Sequence, residues 1–160
     1  TTLAFSIQGG EQDNNTYKKT LIDAGFSLVG CLSSDGYDNP YRDKIIKEPR
    51  DDISLEKLEQ HAYELAKKHP EITMWKTINE PHILGDPSEM ATIVEYVKAL
   101  AAGAKRFNPE NKIITPDPSN MYPQYGTSYI DTFLEYGGGD YVDVIGIHPY
   151  RRRPESPADG

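Results

Sequence analysis

Two rhythms of apolar and polar positions run along the chain: short, nearly continuous apolar runs, and longer stretches with an apolar residue every third or fourth position. Leu3-Ala4-Phe5-Ser6-Ile7, closed by Gly9-Gly10, predicts a buried strand. Asp13 or Asn14 can cap a helix over about residues 14 to 24, with Tyr17, Leu21 and Ala24 on one face and Gly25 as its C-terminal glycine. Residues 26 to 32 are apolar or small almost throughout, which suits a strand covered on both faces, as in a parallel sheet. Residues 33 to 52 are rich in Asp, Gly, Asn and Pro and predict a long loop. Ser54 then caps a helix to about Lys68, with Leu55, Leu58, Ala62, Leu65 and Ala66 at amphipathic spacing and Pro70 as its stop.

The alternation continues. Residues 72 to 79 predict a strand that Pro81 terminates. Asp86-Pro87-Ser88 opens the longest helix, with Met90, Ile93, Val94, Val97, Leu100 and Ala104 on its apolar face and Asn108-Pro109 beyond it. Residues 112 to 115 predict a strand, residues 127 to 136 a helix ending at the glycines 137 to 139, and residues 141 to 148 a last strand. Five strands alternating with four helices predict repeated crossover units and an α/β fold with a parallel sheet. A doubly wound sheet usually carries a glycine-rich turn from strand into helix, whereas Gly137-Gly138-Gly139 runs from helix into strand. The expectation is therefore an incomplete (β/α)8 TIM barrel, in which chemistry sits at the C-terminal ends of the strands.

Composition narrows the partners. With 17 Lys plus Arg against 25 Asp plus Glu the formal charge is −8, which argues against a nucleic acid or an anionic membrane surface. No window supplies the roughly 18 consecutive apolar residues of a membrane span. Cys31 is the single cysteine, so neither an intrachain disulfide nor a cysteine-rich zinc site is available. No pair of His at i, i+4 spacing and no Asp-rich calcium loop occurs, and neither metal nor cofactor is expected.

The predicted strand ends carry the reactive side chains: Asn79-Glu80-Pro81-His82 after one, Asp117 after the next, and His148-Pro149-Tyr150 after the last. A carboxyl group beside an amide that can bind a hydroxyl suits general acid catalysis on an oriented polyol. Burial and a neighbouring negative charge keep such an acid protonated near neutral pH. Trp75 shares strand parity with Asn79 but lies about 13 Å below it at roughly 3.3 Å per residue, and is expected in the core rather than as a sugar platform. His61 and His69 fall on a helix and its end, and are expected on the far side from the strand termini.

Trp75-Lys76-Thr77-Ile78-Asn79-Glu80-Pro81 resembles the fourth strand of the clan A retaining glycoside hydrolases, and Asp143 to Tyr150 resembles the sixth, which commonly ends in His-x-Tyr. The resemblance covers about residues 54 to 150. It implies that Glu80 is the acid/base, that Asn79 binds the sugar 2-hydroxyl, that His148 lines the same subsite, and that Tyr150 contacts the nucleophile or the sugar. His82 and Asp117 are further candidates for substrate binding, the alternative for both being loop polarity around Pro81, Pro116 and Pro118. The nucleophile implied by the family is a second Glu at the end of the seventh strand, outside this chain.

The 160 residues are thus expected to be a partial TIM-barrel catalytic domain, since a full barrel takes about 250, with the remainder of the barrel as its partner in a longer parent. The expected function is hydrolysis of a β-linked oligo- or polysaccharide by double displacement, the fragment alone being inactive. The alternatives are a non-catalytic carbohydrate-binding or inert half-barrel, and a half-barrel that dimerises to complete the ring. An extracellular or periplasmic location is slightly favoured for a polysaccharide-degrading enzyme, with any export signal upstream of Thr1.

Overall fold

Local capping chemistry sets the helix ends in the computed structural model, which describes residues 18–32, 54–79, 90–118 and 123–147. The described part of the first helix, α1, is 18–23. It closes with Gly25 at φ 82°, while the Gly25 N–H donates to Ile22 and the Phe26 N–H to Leu21. That pair of bonds around a left-handed residue is a Schellman cap, and glycine adopts the conformation without steric penalty.

Strand β1 is Val29–Cys31, and helix α2 follows at Leu55–Lys68. Ser54 caps α2 by accepting from the Lys57 N–H, and Lys67 and Lys68 sit in the last turn, where the helix dipole favours cations. Strand β2 is Met74–Lys76, α3 is Met90–Phe107 and β3 is Lys112–Ile114. Helix α4 covers Pro123–Glu135 and ends at Gly137, with φ 83°, before a short 3-10 turn over Gly138–Tyr141.

The three strands form one parallel sheet in the order β1-β2-β3, with Gly30 opposite Trp75 and Trp75 opposite Ile113. Helices α2 and α3 are the crossovers. They approach closely because α3 carries Gly103, whose position lies against the Glu59 carbonyl and leaves no room for a β-carbon, which would stand 2.8 Å from the Ala62 Cβ. Leu58, Ala62 and Ala66 of α2 join Ile93, Val97, Leu100 and Ala104 of α3 in the core, with Ile72, Trp75, Ile78 and Ile113 from the sheet and Phe133 from α4. Among the described residues no helix is long and apolar enough to cross a membrane.

The expectation of an incomplete (β/α)8 barrel with five strands is corrected here, because the described residues form a small α/β unit with three paired strands, while the four expected helices are present. The expected strand at residues 3 to 7 lies outside the described residues. The expected strand at 141 to 148 is not formed over its described part: its start belongs to the 3-10 turn, and only Val144 bridges to Ile114. Backbone bonds join Asp143 and Val144 to Ile113 and Thr115 to Val144, and side chains add to them on either side of the bridge. The Asp143 carboxylate accepts the Ile113 N–H at 2.9 Å, and the Thr115 hydroxyl accepts the Gly146 N–H at 2.9 Å. Ile145 and Ile147, which fall within that expected strand, are 60% and 57% exposed.

A polar cluster closes the base of β2. Lys18 donates to His69 Nδ1 at 3.0 Å and pairs with Glu71. Burial lowers the His69 pKa, the Lys18 ammonium adds to this, and Glu71 opposes it without reversing it. His61 sits elsewhere than expected: its Nε2–H donates to the Leu32 carbonyl at 3.1 Å, just past the C-terminal end of β1. Burial lowers its pKa as well, against the opposing effect of that carbonyl.

Both folded-state values lie below the ordinary 6.5, so the neutral rings contribute stability in full above that pH. The contribution is lost as pH falls through the lowered folded values. Urea midpoints are therefore expected to fall between pH 7.5 and 5. His69→Gln is expected to flatten that fall, and an unchanged slope would exclude His69 as a source.

Candidate functional site

The C-terminal edge of the sheet is built by the same register that builds its middle. Lys76 stands opposite Ile114, and after a gap in the ladder Asn79 pairs with Asp117 at the same offset. The gap is bridged from both sides. The Thr77 hydroxyl donates to the Ile114 carbonyl at 3.0 Å, and the Asp117 N–H donates to the Ile78 carbonyl at 3.2 Å. Thr77, Ile78 and Thr115 are fully buried, so this edge rests on packed core and its polar groups have a rigid base.

Three side chains converge there. Lys76, whose side chain is 16% exposed, donates from Nζ to Asn79 Oδ1 at 2.8 Å. The same Nζ lies 3.3 Å from Asp117 Oδ2, and the Asp117 side chain is only 7% exposed. A carboxylate this buried needs compensation, and the ammonium supplies it while also holding the neighbouring amide. Gly146 closes in from the last described segment, where a β-carbon would stand 2.7 Å from the Ile114 Cγ2 and 3.2 Å from the Asp117 Cβ. Glycine is what lets the chain run this close to Asp117, two residues before His148.

Of the residues singled out in the sequence, Asn79 and Asp117 are brought together as an in-register pair. Glu80, His82, His148 and Tyr150 lie outside the described residues. Trp75 is 1% exposed, and its Nε1–H donates to the Ile72 carbonyl at 3.1 Å, which makes it part of the core. Sequence reasoning passed over Lys76. A charged residue inside a strand whose neighbours Trp75 and Thr77 are buried was the available signal, because such a group is seldom enclosed without partners.

What the arrangement offers chemically is an oriented amide and a neutralised carboxylate at the mouth of a parallel sheet. Asp117 is unsuited to attack an electrophile, because it is enclosed and ion-paired with Lys76. Among the described residues no group of three or more His, Cys, Asp or Glu could hold a metal ion. The sequence matches no protein-family model and no curated protein.

Proposed function

We propose that the chain belongs to a retaining glycoside hydrolase acting on a β-linked oligo- or polysaccharide. In this reading Glu80 protonates the glycosidic oxygen and later activates water, and Asn79 donates to the sugar 2-hydroxyl. His148 and Tyr150 line the same subsite, with His82 and Asp117 contributing polarity around it. Retention requires a second carboxyl group about 5 to 5.5 Å from the first, and in this reading that nucleophile is a Glu outside residues 1 to 160.

The observation that carries the reading is the pairing of Asn79 with Asp117 at the C-terminal edge of the parallel sheet. That pairing sets the residue immediately before Glu80 at the edge where open α/β sheets bind their ligands. The resemblance of Asn79-Glu80-Pro81 and His148-Pro149-Tyr150 to the glycosidase strand ends supports it from the sequence side. The test is incubation of the full-length protein with β-linked oligosaccharides, following the anomeric proton of the first product by NMR. Cleavage with the β anomer formed first is the expected result. Inversion would remove the double displacement, and no cleavage of any β-linked substrate would remove the hydrolase reading.

A further inference from the structure

We propose that Lys76 is a positioning residue that locks the Asn79 amide with its Nδ2 donors turned toward bound ligand. The proposal rests on the carbohydrate reading of the site for the identity of that ligand, a sugar hydroxyl. The geometry supplies the rest. Lys76 Nζ stands 2.8 Å from Asn79 Oδ1 and 3.3 Å from Asp117 Oδ2, so one ammonium bridges a side-chain amide and a buried carboxylate.

An ammonium has three N–H donors and no acceptor. Facing it, an asparagine amide is stable in one orientation only, with the oxygen inward. The flipped amide would set N–H against N–H and leave a donor of Lys76 without its acceptor. The two Nδ2 donors therefore point away from Lys76.

Asp117 completes the device. Its carboxylate, 7% exposed, anchors the ammonium at one side, and the Asn79↔Asp117 backbone pairing fixes the distance between the two acceptors. A freely rotating asparagine can donate or accept and so tolerates many hydroxyl orientations. The clamped one presents donors, which selects a ligand oxygen that can accept at that point.

Such preorganisation acts through the hydrogen bond it aligns, and one amide-to-hydroxyl bond corresponds to about a tenfold change in an equilibrium or rate ratio. Removing the clamp is expected to cost most of that tenfold. The cost should fall on substrates that carry the hydroxyl and should vanish on those that lack it. A merely structural lysine would lower activity on both alike.

The test uses the full-length protein and three variants. Lys76→Met removes the donor, Lys76→Met with Asp117→Asn removes it without leaving a buried carboxylate uncompensated, and Lys76→Arg keeps a cationic donor. Two readouts are taken. The first is the ¹⁵N relaxation of the Asn79 side-chain amide, which is independent of any activity. The expected result is a rigid amide in the parent and in Lys76→Arg, and a mobile one in both Lys76→Met backgrounds, with the backbone signals of the core residues Leu100 and Ala104 unmoved.

The second readout is kcat/KM for an aryl β-glycoside against its 2-deoxy analogue. Discrimination between the two is expected to shrink about tenfold in the Lys76→Met variants and to return in Lys76→Arg. An Asn79 amide as rigid without Lys76 as with it overturns the proposal, whether or not the protein cleaves glycosides. Unchanged 2-deoxy discrimination overturns it as well. A protein that cleaves no glycoside, yet whose amide loosens on loss of Lys76, removes the hydrolase reading and leaves the clamp standing.

Discussion

Replacing Glu80 by Ala is expected to slow cleavage of a β-glycoside with a poor leaving group by about 10²- to 10⁴-fold, the usual worth of a positioned general acid. The same variant should cleave an activated aryl glycoside with much less loss in the first step, since a leaving group of low basicity departs without a proton. In the proposed double displacement the second step, hydrolysis of the glycosyl intermediate, would also use Glu80 as base. Activated substrates should therefore show a burst followed by slow turnover, and a small strong nucleophile such as azide should relieve the slow phase. The measurement is a comparison of kcat/KM across leaving groups for parent and variant. Equal losses on good and poor leaving groups would assign Glu80 a role other than proton transfer.

The second large effect is on stability. Trp75→Ala is expected to destabilise the fold by about 3–5 kcal/mol, the range for deleting a fully buried large aromatic. Trp75 is 1% exposed, and its ring packs directly on Gly30, where a β-carbon would overlap it. Its Nε1–H is satisfied by the Ile72 carbonyl at 3.1 Å, so the mutation removes both the ring and a buried hydrogen bond. The space left lies on the face of the sheet over Gly30, and the paired backbones of β1 and β2 cannot rise to fill it. The thermal midpoint should fall by on the order of 10 °C for a chain of this size. Circular dichroism is the measurement, since the variant lacks the only tryptophan. A loss below about 1 kcal/mol would place Trp75 outside the core.

Trp75 as a core residue followed from strand parity and distance along the strand, both local quantities, and its burial bears that out. The Asn79-Glu80 dipeptide stood out because it follows a predicted strand directly. The structure adds Asp117 as the cross-strand neighbour of Asn79, which no spacing in the chain announces. Lys76 is the clearest omission: its importance comes from two partners, one three residues away and one on another strand. His61 lies at the opposite end of the fold from the one its helix position suggests, for a related reason. A position on a helix says which face a residue occupies but not which end of a neighbouring strand that face meets, and His61 meets Leu32.

Three of the helix ends are legible in the sequence alone, whereas α4 begins at Pro123, four residues before the expected start at 127. Ser54 opens α2, Gly25 closes α1, and the glycine at 137 ends α4, because capping and left-handed backbone depend on residues within one turn of each other. The order of strands and crossovers over residues 26 to 115 was equally legible, since each crossover helix carries its own 3.6-residue periodicity. How many residues pair in each strand was decided only by the tertiary structure. An apolar run such as 141 to 147 carries the potential to pair, but a strand exists only where a neighbour offers free backbone groups. Beside β3 the Asp143 carboxylate and the Thr115 hydroxyl take the Ile113 and Gly146 N–H groups, so among the described residues regular pairing is limited to the Val144 bridge, and Ile145 and Ile147 are exposed. The same dependence on distant partners gives the edge its chemistry, because Lys76 acquires a role only where the fold brings Asn79 and Asp117 to one ammonium.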